Sequence, residues 1–161
     1  MALSGVLGAA LNAKEPMVDV QRRPSKTFID FMTALQSDVN AAPTRTNTPV
    51  QLTAQAASIT TTAIGSPTAD GLYLVQWYAR ITRAATVSSS LTLTFGWTDH
   101  TQALTAPQAA ITGNTVTTTQ SGSLLLFSDA SSPVTYAATY ASSGTTTMQY
   151  ALYVALSQVF A

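Results

Sequence analysis

Residues 70–84, DGLYLVQWYARITRA, carry a long and uninterrupted strand pattern. The stretch opens on Asp-Gly, a strong turn signal, and continues in aromatic and β-branched residues that favour extended backbone. Side chains alternate between the two faces of a strand. One face is apolar throughout and predicts a core: Tyr73, Val75, Trp77, Ala79 and Ile81. The other begins apolar and ends polar, as expected of a strand that emerges at a rim or a subunit contact: Leu72, Leu74, Gln76, Tyr78 and Arg80.

The sequence from residue 50 onward repeats this kind of pattern. Residues 91–97 alternate large apolar and small polar side chains, residues 124–127 are an apolar run that predicts a strand covered on both faces, and residues 146–159 form another long strand. Further strands are predicted at 50–53, 58–64, 115–118 and 134–140, with a weak one at 103–105 and a turn at 120–122. About eight strands without helical periodicity predict an antiparallel β-sandwich. Two sheets of this kind favour a jelly roll, with another Greek-key sandwich as the alternative.

The first 45 residues differ from the rest in charge. The chain has 14 charged side chains, and nine of them lie there: Lys14, Glu15, Asp19, Arg22, Arg23, Lys26, Asp30, Asp38 and Arg45. We therefore predict an N-terminal arm over residues 1–45 and a β-sandwich domain over residues 46–161. A helix is expected at about residues 25–40, because Ser25 is a natural N-cap directly after Pro24.

The arm is predicted to bind a partner through apolar stripes. A helix this short is marginal alone, so the stripe along it needs a surface to bury against. Apolar residues also recur at helical spacing within residues 1–13. This segment is either an apolar plug that orders on a partner or a frayed tail. A basic cluster between the two could anchor the arm to an acidic surface. The predicted partner-binding residues are Leu3, Val6, Leu7, Arg22, Arg23, Lys26, Phe28, Met32, Leu35 and Val39.

Composition argues against several functions. Charged residues make up 9% of the chain, against about 25% in ordinary soluble domains, and the net charge is zero. A nucleic-acid-binding face is therefore not expected, and a free monomer should be prone to associate, so we expect a homo-oligomer, most simply a homotrimer. There is no Cys, no basic segment before the apolar N-terminus as in a signal peptide, and no apolar run approaching the ~20 residues that span a bilayer.

Candidate sites for chemistry are few. His100 follows Asp99, which could orient it as a base, but a polar turn is the plainer interpretation, and we expect no enzyme activity. The Asp residues of the β region are far apart in sequence, so no metal site and no cofactor are predicted. Aromatic residues at strand spacing are usually core, although part of the set could form a sugar-stacking platform: Tyr73, Trp77, Tyr78, Trp97, Tyr136, Tyr140, Tyr150 and Tyr153.

Residues 70–156 as a whole resemble a β-sandwich module of tailed-bacteriophage structural proteins. The resemblance is carried by DGLYLVQWYARITRAATVSSSLTLTFGWTD, then SGSLLLFSD, then SPVTYAATYASSGTTTMQYALYVAL. It implies a virion protein assembled in the host cytoplasm. The first hypothesis is a capsid decoration (cement) protein that contacts the major capsid protein and its own copies. The alternative is a tail, baseplate or fibre component with an adaptor or receptor-binding role. A carbohydrate-binding module outside any phage, and an enzyme, are weaker alternatives.

Overall fold

The computed structural model describes residues 26–40 and 48–160, which belong to two compact units, one ending at Ala42 and the other beginning at Pro43. The first contributes helix α1, Lys26–Asn40. The helix agrees with the prediction of about 25–40, and Lys26 Nζ donates to Asp30 Oδ2 at 2.6 Å, one helical turn away. Among the described residues, no helix has both the length and the apolar character needed to cross a membrane.

The second unit is built from eight strands. They are β1 (Val50–Gln55), β2 (Ile59–Gly65), β3 (Gly71–Arg83), β4 (Ser88–Asp99), β5 (Gln102–Pro107), β6 (Thr119–Ser128), β7 (Val134–Ser143) and β8 (Gln149–Phe160). One sheet has the order β1-β8-β3-β6 and the other β2-β7-β4-β5, with antiparallel pairing throughout. Among the described strands, only β4 and β5 pair with a neighbour in sequence. Every other pair joins strands that are not consecutive, and the two strand orders are those of the eight-strand jelly roll. The predicted antiparallel β-sandwich is confirmed.

The core lies between the sheets and follows the predicted alternation. The apolar face of β3 is buried, with Tyr73, Val75, Ala79 and Ile81 at 0% exposure and Trp77 at 8%. Strand β8 pairs with it in register, so that Leu152, Val154 and Leu156 lie opposite these residues and are buried too. From the second sheet, Leu91, Leu93 and Phe95 of β4 complete the core, and the Phe95 ring lies 4.8 Å from that of Trp77.

Strand β6 and the segment that precedes it differ from their predictions in three ways. Residues 115–118 form a turn rather than a strand, with Thr118 N–H donating to the Thr115 carbonyl at 3.4 Å. Residues 120–122 continue β6 instead of turning, because Gly122 lies opposite Trp77 and leaves space for its ring. The expectation that 124–127 is covered on both faces is also wrong: Leu126 is 4% exposed, but its neighbour Leu125 is 58% exposed. The weak strand at 103–105 is real and longer, as β5.

Candidate functional site

The predicted contact residues of the arm lie partly outside the described structure. Leu3, Val6, Leu7, Arg22 and Arg23 fall outside the described residues, and so do the side chains of Leu35 and Val39, although their backbone belongs to α1.

On the described part of α1, the solvent exposure of the side chains varies along the helix. Lys26 is exposed and paired with Asp30, Phe28 is half-buried, and Met32 and Ile29 are 45% and 50% exposed. The helix therefore presents two large apolar side chains to solvent.

A polar corner joins the β4–β5 turn to the end of β6. The Asp129 carboxylate accepts the backbone N–H groups of His100 and Thr101 at 2.9 and 2.8 Å, and these two residues have positive φ of 46° and 67°. Asp70 accepts the N–H of Ala130 at 2.7 Å. The fold thus brings together Asp residues that are far apart in sequence, and it uses two of them to hold backbone in turns.

His100 is the basic side chain at this corner. Its Nδ1 lies 2.5 Å from Asp99 Oδ1, and its ring stacks on Phe127 with a centroid distance of 4.8 Å. The hydrogen bond and charge of Asp99 raise the pKa of His100 above 6.5, against a weaker effect of desolvation, and Asp129 and Asp70 add to the rise. The predicted Asp99–His100 contact is therefore present, in a braced turn. The described residues bring together no group of three or more side chains that could hold a metal ion.

A serine-lined cleft of about 370 Å³ lies between the start of β4 and the end of β7. Four of the serine hydroxyls that line it make hydrogen bonds within the fold. Ser88 Oγ and Ser143 Oγ are 2.7 Å apart, Ser89 Oγ bonds to Asn114 and to the Gly113 N–H, and Ser142 Oγ accepts the Met148 N–H at 2.8 Å. These hydroxyls tie β4 to β7 and both strands to the loop residues beside them, whereas the sequence showed only a Ser-rich turn.

The outer face of the β1-β8-β3-β6 sheet carries a second cleft, which we call the tyrosine groove. It has a volume of about 290 Å³ and is lined by Pro49, Gln51, Gln76, Trp77, Tyr78, Tyr153, Val154 and Ala155. Tyr78 and Tyr153 are directly opposed on β3 and β8, with ring centroids 6.2 Å apart. Of the eight aromatic residues named above, these two alone are classed as exposed, at 40% and 39%.

The opposite end of the same face is apolar, and we call it the leucine patch. It consists of Leu72, Leu74, Leu125 and Phe127, which form two directly opposed pairs between β3 and β6, Leu72 with Phe127 and Leu74 with Leu125. Leu125 is 58% exposed and the other three are half-buried. The sequence indicated an apolar start to this face of β3, but the contribution of β6 depends on the register between strands.

The chain matches no known protein-family model, and no curated protein matches it.

Proposed function

We propose that this chain is a structural protein of a tailed-bacteriophage virion, a capsid decoration (cement) protein that stabilises the head. The observation that carries the proposal is the near absence of charge on a folded β body: between residues 48 and 160 the charged side chains are Asp70, Arg80, Arg83, Asp99 and Asp129. Such a surface gives little protection against association. A protein that works inside a lattice, with much of its surface covered, tolerates this composition.

The leucine patch supplies a contact surface of the right kind. Isolated exposed leucines are normal, but a contiguous apolar group on a flat sheet face is typical of interaction sites. Burying one Leu side chain stabilises a contact by ~1.5–3 kcal/mol, well above the ~0–1 kcal/mol of a surface ion pair. In this proposal the patch packs against the major capsid protein or against another copy in a homotrimer.

Helix α1 supplies a second contact. Ile29 and Met32 are both exposed, and an amphipathic helix of 15 residues is marginal unless its apolar side chains are packed. We assign the helix, with the rest of the arm, to attachment. The apolar side chains set the affinity, and Lys26 adjusts specificity and rate.

The second candidate is a tail, baseplate or fibre component. The observation that favours it is the solvent-open tyrosine groove, which an adaptor or receptor-binding protein could use.

Copy number separates the two candidates. Quantitative mass spectrometry of purified virions should find the protein in roughly hundreds of copies per particle if it decorates the head, as icosahedral repetition requires, and in tens or fewer in a tail. Absence from purified particles would overturn both.

Attachment is tested by co-sedimentation with heads that lack the protein. The double substitution Ile29→Ala and Met32→Ala should weaken attachment by roughly tenfold or more, because each truncation removes apolar burial. Lys26→Ala is the matched control on the same helix and should give a smaller, salt-sensitive loss. If the double variant attaches as well as the native chain does, the contact surface lies on the β body and the assignment of α1 is wrong.

A further inference from the structure

We propose that the tyrosine groove binds the ring of a neutral pyranose sugar, as a single-residue glycan subsite. The inference goes beyond the proposed virion role and holds for either location of the protein in the particle.

The groove follows from the pairing of three strands. On the outer face, Gln51 of β1 lies opposite Tyr153 of β8, and Tyr153 lies opposite Tyr78 of β3. In the next row, Gln76 of β3 lies opposite Ala155 of β8. The side chain of Ala155 in the second row is small, and it therefore leaves a depression in the surface beside the two tyrosine rings. Strands β3 and β8 are the inner strands of the sheet, and a site on such elements is held more rigidly than one on loops.

The chemistry of the lining matches a sugar. A pyranose has one face of C–H groups and a rim of hydroxyls. The adjacent Tyr78 and Tyr153 rings, tilted at 40°, offer an apolar platform with polar tips for the C–H face. The exposed amides of Gln51 and Gln76 each provide both donors and acceptors, which suits hydroxyls that also do both.

The charge of the lining and the volume of the groove further restrict the class of ligand. Among the described residues, no Asp, Glu, Lys or Arg lines the groove, which favours a neutral ligand over a phosphorylated or carboxylated one. The groove volume of about 290 Å³ lies just below the range of about 300 to 1,000 Å³ that is usual for ligand sites. It therefore accommodates one sugar ring. A ligand of this size and exposure should bind with a dissociation constant on the order of a millimolar.

The test is saturation-transfer NMR on the full chain. The probes are methyl β-glucopyranoside, methyl β-galactopyranoside, methyl α-mannopyranoside and N-acetylglucosamine, each titrated through the millimolar range. We expect transfer to the ring C–H protons of at least one probe. Tyr153→Ala should weaken binding by about tenfold, whereas Tyr153→Phe keeps the platform and should retain most of it. Leu104→Ala, at an equally exposed large side chain of β5 in the other sheet, is the matched control and should bind as the native chain does.

Circular dichroism verifies that each variant is folded, and Gln76→Ala provides a second weakened variant if Tyr153→Ala does not fold. The proposal is overturned if no probe receives saturation transfer, or if binding survives in both Tyr153→Ala and Gln76→Ala. It is also overturned if Tyr153→Ala lowers the oligomeric mass while no probe binds, because the groove would then be a contact between copies of the chain.

Discussion

Gly122 is a position in β6 where the opposing strand leaves no room for a side chain. A Cβ there would lie 2.3 Å from Trp77 Cζ2 and 2.6 Å from Cη2. The Trp77 ring cannot retreat easily, because it packs against Phe95 with centroids 4.8 Å apart. The glycine therefore belongs to the packing of the core, although it stands in a segment that resembles a turn.

We predict that Gly122→Ala destabilises the protein by about 1–3 kcal/mol, the usual cost of overpacking a core. The entropic gain from removing a glycine, about 0.4–1 kcal/mol, is too small to offset it. Ser123→Ala is the matched control at the next position of β6, where the side chain faces outward and is exposed. Chemical denaturation of both variants measures the difference, and equal stability of the two would show that Trp77 moves aside.

His100 gives a pH-dependent contribution whose sign follows from its contacts. Its folded pKa is raised by Asp99, so the native state binds the proton more tightly than the unfolded chain does. The stabilisation is fully present below the unfolded pKa of about 6.5 and is lost as pH rises through the higher folded pKa.

The chain has a single His, so an NMR titration reads this group without overlap. We predict a midpoint above 6.5 in the native chain and a lower one in Asp99→Asn, where the negative charge is removed and the remaining amide oxygen is a weaker, uncharged acceptor. Asp129→Asn should shift the midpoint less, since its charge is a smaller contributor. A midpoint that Asp99→Asn leaves in place would contradict the assigned cause.

The buried face of strand β3 was predictable because a period-two pattern is local: the strand carries its own alternation, and the face predicted to be core is buried. The course of β6 was not predictable in this way. Gln-Ser-Gly at 120–122 has the composition of a turn, and only the opposed Trp77, 45 residues earlier in the sequence, explains why the strand continues. Local sequence cannot carry that information.

The same reasoning applies to the candidate sites. Tyr78 and Tyr153 were among eight aromatic candidates. The alternation of β3 separated Tyr78 from Tyr73 and Trp77, but nothing in the sequence indicated that Tyr153 lies beside Tyr78. The row that joins Gln51, Tyr153 and Tyr78 exists only once β1 and β3 pair with β8 in a particular register. Register is set by burial of the opposite faces, so the site is a consequence of core packing in the first sheet.

Strand β6 contributes the most exposed member of the leucine patch. We predict that Leu125→Ser weakens self-association or attachment by roughly tenfold or more, because it removes apolar area from the contact. Thermal stability should change little, since the side chain is 58% exposed. Val116→Ser is the matched control, because Val116 is equally apolar and 54% exposed but lies in the preceding turn. Light scattering across a dilution series compares the masses of the two variants. Equal masses at every concentration would show that the leucine patch is not part of the interface.

The β body contains a complete core of its own. Every buried apolar residue of the core cluster belongs to the range 64–156, and the half-buried residues packed on it extend only to Val50 at the N-terminal side. Both sheets are likewise formed from β1–β8 alone. The described members of this core all lie within residues 50–156, and we therefore treat the folding of the β body separately from the proposed attachment role of the arm.

We predict that a chain truncated to begin at Pro43 folds without the arm. It should keep a β-type circular dichroism spectrum and a single cooperative thermal transition, as expected of a domain of this size, because all core residues are retained. Its attachment to heads should fall well below that of the full chain. The control is the full-length protein carrying Leu152→Ala, which retains the arm but should lose about 2–5 kcal/mol of stability from the core. A truncated chain that melts without cooperativity would show that the arm completes the body, and the division of roles between the two would then be wrong.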